Sequence, residues 1–194
     1  MKRRTDGGRW TRLLWFVLVA LLLAGFLAAC APRSRSVSAT PPVTVAAATL
    51  PARPPSADTA RMLALVNEAR ARSQRCGNAV LAAAPPLGWD DTLALAAERH
   101  ARAMAVQGFV GHVSPSGSTV GDRIAAVGYR ARAWGENIAA GYVDPAETVA
   151  GFLASPSHCE VLMAHSFEVL GAALVEVDGS VYGSYWTLVF AAPR

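Results

Sequence analysis

Trp134-Gly135-Glu136-Asn137-Ile138 sets a lone carboxylate inside a hydrophobic frame. A carboxylate enclosed in that way needs a partner, and an imidazole would serve. On the N-terminal side lies Phe109-Val110-Gly111-His112-Val113-Ser114-Pro115, a loop that carries a histidine. On the C-terminal side, Ser155-Pro156-Ser157-His158-Cys159 puts a second histidine at a helix start. A rigid Gly/Pro-rich setting around each polar group is typical of site construction.

The segments around these stretches read as helices first and strands last. Met62, Leu65, Val66 and Ala69 recur at helical spacing and predict a helix over 59–73. A second helix is expected over 92–107, capped by Asp90-Asp91 and stopped by Gly108. Leu93, Ala97, His100 and Met104 share one face of it, which makes His100 a core histidine. A short helix, 119–127, ends at Gly128. Asp144-Pro145-Ala146-Glu147 is a strong start signal for a helix over 145–154, with Asp as cap and Glu reaching back. That helix stops at Ser155-Pro156, and a helical turn follows at 158–164. Val169 to Val177 and Val181 to Phe190 flank Asp178-Gly179, which predicts a tight hairpin with Trp186 and Phe190 in the core. Tyr182 and Tyr185 are expected to pack in that hairpin, with lining of a groove as the other reading, and Asn137 to hydrogen-bond the backbone. His165 falls in a turn.

No local motif assigns an enzyme class. HExxH, CxxC, the GxSxG nucleophile elbow and the phosphate loop are all missing. The order of the pieces says more. Gly-His-Val-Ser-Pro, Gly-Glu-Asn-Ile, Ser-Pro-Ser-His and the closing Tyr185-Trp186-Thr187-Leu188-Val189-Phe190 resemble the CAP superfamily of cysteine-rich secretory proteins, antigen 5 and pathogenesis-related proteins. Asn67-Glu68-Ala69-Arg70 adds a fifth matching piece in the first helix. The likeness covers nearly all of 60–192 and is nearest to the compact bacterial, sporulation-type branch.

That resemblance implies an α+β fold, a three-layer α-β-α sandwich with a central antiparallel sheet. It also implies a cleft lined by two histidines and two acids. His112 and His158 match the histidines and Glu136 matches one acid, while the second acid position falls on Ser155. Serine is a poor replacement for a carboxylate in metal binding or acid/base work. Two imidazoles and a carboxylate suit a three-ligand Zn²⁺ site with an open position, which would activate water. The other reading of His112 and His158 is a hydrogen-bonded pair that braces the cleft. The expectation is therefore a binding module for a lipid, a peptidoglycan-like glycan or peptide, or an envelope protein. A Zn-dependent hydrolase or peptidase at His112, Glu136 and His158 is the alternative, and a purely structural, disulfide-braced envelope domain is a third reading.

The N-terminal segment leads to the expectation that this domain lies outside the cytoplasm. The chain has 194 residues, 53% hydrophobic and only 16% charged. That charged fraction is below the roughly 25% of an average soluble protein and points to an apolar segment outside the globular part. A disordered chain, a coiled coil and a collagen-like repeat are excluded. The segment is 13–29, preceded by Lys2, Arg3, Arg4, Arg9 and Arg12 and ended by Leu27-Ala28-Ala29-Cys30. A positive start, an apolar middle and small residues before a cut read as an export signal. The ending resembles the lipobox of bacterial lipoproteins, which makes Cys30 the lipidated residue. An uncleaved membrane anchor is the other reading. Residues 30–57 have the Pro/Ala/Ser-rich composition of a tether, and 58–194 form the domain.

Once the basic n-region is set aside, acids and bases balance over 30–194. Nucleic-acid binding thereby loses its electrostatic footing. The partner expected is the membrane, through the lipid anchor. Ala31-Pro32 after the cysteine lack an Asp retention signal, which favours the outer membrane or periplasm. In an oxidising compartment, Cys76 and Cys159 are expected to pair; two free buried thiols are the alternative.

Overall fold

The computed structural model describes residues 54–194. The expected signal segment, Cys30 and most of the tether lie outside the described residues. Among the described residues, no helix is long and apolar enough to cross a membrane.

The first helix, α1 (Ala57–Arg70), begins two residues before its expected start because the Ser56 side chain caps Thr59 N. It ends at Arg70 rather than 73. A small antiparallel ribbon follows, β1 (Gln74–Cys76) with β2 (Ala79–Leu81), then β3 (Gly88–Trp89). Helix α2 (Asp91–Gln107) has the anticipated Asp90 cap and a left-handed Gly108 at its end. Helix α3 (Val120–Ala126) carries a full capping box between Thr119 and Asp122. Strand β4 (Ala131–Ala140) contains the Gly-Glu-Asn stretch. Helix α4 (Pro145–Ala154) is capped by Asp144, which accepts from Ala146 N and Glu147 N. Helix α5 (Pro156–Met163) follows with Ser155 as the hinge. Strands β5 (Val169–Glu176) and β6 (Ser184–Pro193) close the chain.

The main sheet runs β3-β5-β6-β4. Its long strands are antiparallel, and the two-residue β3 adds a parallel edge on β5. The hairpin is wider than a two-residue Asp-Gly turn. Pairing ends at Glu176 with Ser184, and Asp178-Gly179 form a turn inside a longer loop. Alternation along the strands sends side chains to two cores. Leu170, Leu188, Phe190 and Trp186 pack with α1, α4 and α5. Ala173, Val175, Tyr185 and Val189 face α2 and α3. Helices on both faces of an antiparallel sheet give the expected α-β-α sandwich.

Two glycines set how near these layers come. A Cβ on Gly171 would lie 2.1 Å from Ala94 N, so only glycine lets the start of α2 rest on β5. On Gly135 it would lie 2.8 Å from the Phe167 ring, which seats against β4. The Asn67 and Arg70 of α1 also serve the architecture. Asn67 clamps Leu87, accepting from its N–H and donating to its carbonyl. Arg70 is wholly buried and donates to Pro85 O, Leu162 O and Ala164 O. Those last two carbonyls lie at the end of α5, where a helix leaves acceptors unpaired and a cation is favoured. Burial lowers the Arg70 pKa from its ordinary value.

The disulfide joins Cys76 of β1 to Cys159 of α5, with Cα atoms 5.3 Å apart. Both cysteines are buried, which settles the pairing expected from the sequence.

Candidate functional site

Strand β4 is an edge of the main sheet, with helices above and below. Successive residues on a strand point to opposite faces. Glu136 pairs in register with Val189 and so faces the α2–α3 layer, while Asn137 pairs with Leu188 and faces α4 and α5. The two neighbours thereby reach different histidines. Glu136 Oε1 accepts from His112 Nδ1 at 2.9 Å. Asn137 Nδ2 donates to the His158 carbonyl at 3.0 Å. The two imidazoles meet across the strand, with ring centres 6.5 Å apart.

The polar groups differ in exposure. The Glu136 side chain is 2% exposed, whereas that of His112 is 53% exposed. His158 is half-buried and packs on Phe152 of α4, ring centres 5.3 Å apart. Burial lowers the His158 pKa, and the neighbouring His112 lowers it further. A carboxylate can only accept, so the proton of this hydrogen bond sits on Nδ1 of His112.

A third group completes the carboxylate, and sequence reasoning missed it. Arg123 of α3 donates from Nη2 to Glu136 Oε2 at 2.7 Å. The same nitrogen donates to His112 O at 3.0 Å, and Nη1 donates to Ser118 O at 2.9 Å. Arg123 thus ties the histidine loop to the sheet edge. The one signal for it is the Thr119…Asp122 capping pattern, which fixes where α3 starts and hence where Arg123 stands.

His100 lies behind the site and is part of the core, as expected. Its side chain is fully buried against Phe109, and Nε2 donates to Gly111 O at 2.9 Å. Its 3.8 Å approach to Glu136 Oε1 is too long for a hydrogen bond. Burial lowers the His100 pKa; the Glu136 charge opposes that shift and the Arg123 charge adds to it. The ring is therefore a neutral brace under the loop. His165 is exposed.

The anticipated zinc site does not fit this arrangement. Both Glu136 oxygens are engaged, one by His112 and one by a guanidinium whose charge opposes a dication. Among the described residues, no group of three or more His, Cys, Asp or Glu side chains is placed to hold a metal ion. In this arrangement the Glu136 carboxylate orients the His112 imidazole and pairs with a guanidinium. Ser155 ends α4 and begins α5, and its side chain makes no capping bond. A cavity of about 180 Å³ lies to one side, between α3 and β4, walled by Gly121, Ile124, Tyr129 and Trp134.

The cysteine-rich secretory protein family model, CAP, matches residues 63–190. The chain belongs to the CAP family. Uncharacterized protein YkwD of Bacillus subtilis (strain 168) is 30% identical over 105 residues, which is 54% of this chain and 39% of that one. A CAP-family chain from Bacillus anthracis, an extracellular protein containing a SCP domain, is 28% identical with a TM-score of 0.56. The alignment covers 72% of this chain and 44% of that one, so this CAP chain spans less than half the length of both relatives. An outer surface protein of Borrelia burgdorferi shares the fold at 21% identity, with a TM-score of 0.60 and 71% and 93% of the two chains covered.

Proposed function

We propose that this chain is an extracytoplasmic CAP-domain lipoprotein of the sporulation-type branch, tethered to the bacterial envelope through Cys30. It works as a binding module, with a cleft formed by His112, Glu136 and His158 and with Ser155 at the helix junction before it. The ligand is a lipid, a peptidoglycan-like glycan or peptide, or an envelope protein. One observation carries this reading: a half-exposed imidazole, His112, is anchored by a buried carboxylate beside a second imidazole kept neutral by burial. Such a pair offers oriented donors and acceptors at a surface, without the net charge of a catalytic metal. The extracellular description of the Bacillus anthracis relative supports the compartment. The engaged state of Glu136 weighs against the hydrolase alternative.

The test is co-sedimentation of the full chain with purified peptidoglycan and with phospholipid vesicles, beside a His112→Ala/His158→Ala variant. Binding to one of the two that the variant loses is the expected result. Absence of binding to both refutes the lipid and glycan forms of the reading. A parallel calorimetric Zn²⁺ titration separates the alternative. One-to-one micromolar binding that either histidine substitution abolishes would put the hydrolase alternative ahead of the binding module. Lipidation is read separately: Cys30→Ser is expected to abolish incorporation of labelled fatty acid into the protein.

A further inference from the structure

The Glu136 carboxylate is sandwiched between two donors of different kinds. His112 Nδ1 approaches Oε1 at 2.9 Å and Arg123 Nη2 approaches Oε2 at 2.7 Å. The carboxylate is 2% exposed and the guanidinium 10%. A carboxylate so enclosed stays ionised only with a countercharge beside it. The neighbours that could supply one are His112, His100 and Arg123. His100 is spent, because its Nε2 proton goes to Gly111 O and burial keeps the ring neutral. Arg123 is the permanent cation of the group.

We propose that Arg123 is a positioning residue of the cleft: by holding Glu136 as a carboxylate, it fixes His112 in the Nδ1–H tautomer and leaves Nε2 as the acceptor presented to a ligand. Its two bonds to His112 O and Ser118 O hold the loop at the same time, so one side chain sets both the place and the tautomer of the imidazole. Without Arg123, Glu136 Oε2 loses its donor and the loop loses its ties at His112 O and Ser118 O, so nothing holds Oε1 against Nδ1 and the ring is free to take the Nε2–H form. The same geometry leaves Nε2 as the ring atom a ligand meets first, with Glu136 behind the ring as its orienting acceptor.

This inference rests on reading the cleft as the functional site, but its test needs no ligand, so the two can fail separately. The full chain, labelled with ¹⁵N-histidine and held in detergent, is observed by NMR at neutral pH, where the ring nitrogens report the tautomer. In the wild type, His112 is expected as Nδ1–H, the reverse of the preference of free histidine. A change of one charge-assisted hydrogen bond shifts a tautomer ratio by about tenfold or more. Arg123→Gln is therefore expected to lower the Nδ1–H population at His112 by at least that factor, and Arg123→Lys to restore most of it. The spectrum of the exposed His165 is expected to stay as it was. A wild-type His112 in the Nε2–H form overturns the proposal, even if Arg123→Gln fails to fold. An unchanged His112 signature in a folded Arg123→Gln protein overturns it equally.

Discussion

Two buried guanidiniums do different work in this domain. Arg70 has only carbonyls around it, two of them at the end of α5, and it joins α1 to the disulfide-bearing helix. Arg123 has a carboxylate as well as carbonyls, and it joins α3 to the sheet edge at the cleft. The first is balanced by a helix terminus, an acceptor that does not titrate. The second is balanced by Glu136, which also holds a half-exposed imidazole. The contrast teaches where each buried charge is invested, one in architecture and the other in the protonation pattern of a site.

That contrast can be broken or sharpened by substitution. Arg70→Ala leaves three carbonyls without donors and a cavity between α1 and α5, so a loss of about 4–5 kcal/mol is expected in denaturant unfolding. A loss under 1 kcal/mol would show that water replaces the guanidinium. Replacing both Cys76 and Cys159 by Ser opens a loop with a sequence separation of 83 residues, for a loss of about 4 kcal/mol by the chain-entropy model. Because the bridge pins the start of α5, the His158 resonances should shift in the same variant. Gly135→Ala drives a methyl group into the Phe167 ring and is expected to cost about 1–3 kcal/mol. Arg123→Gln is expected to cost about 2 kcal/mol, less than Arg70→Ala, because the glutamine amide keeps a donor where alanine keeps none. If Arg123→Gln costs more than Arg70→Ala, the division between architecture and site fails.

Acid gives the smallest and most specific effect. His100 and His158 both have pKa values lowered in the folded protein, chiefly by burial. The unfolded chain therefore binds protons first as pH falls below about 6.5. Stability is expected to hold above that pH and to decline below it, until the folded-state values are passed. His100→Asn should flatten that decline, and His158→Asn should flatten it less, because His158 is only half-buried. Thermal melts of the three proteins from pH 7.5 to 4.5 check the slopes.

Legibility in the sequence followed the range of the interactions. Helices α2 and α4 could be read because Asp90, Gly108 and Asp144 cap their own neighbours. Strand β4 could not be read as a strand. It lies at a sheet edge but has helices on both faces, so Ala131–Ala140 shows no clean alternation of polar and apolar residues. The hairpin was legible in kind but not in width, since pairing stops at Glu176 and Ser184 while the Asp-Gly turn sits beyond it.

By itself, the sequence determined the family, through five short pieces in a fixed order, and with it the α-β-α layering and the two histidines of the cleft. It also determined the balance of acids and bases over 30–194 and the pair of cysteines. Tertiary structure alone decided what Glu136 does. A carboxylate's role depends on what meets its two oxygens, and those groups arrive from a loop and from a separate helix. Arg123 stands in a short helix where a lone arginine reads as surface, and only packing against β4 turns it into the counter-ion of the site. Local signals report what a residue does to its neighbours along the chain; a buried ion pair is set by which elements the fold brings together.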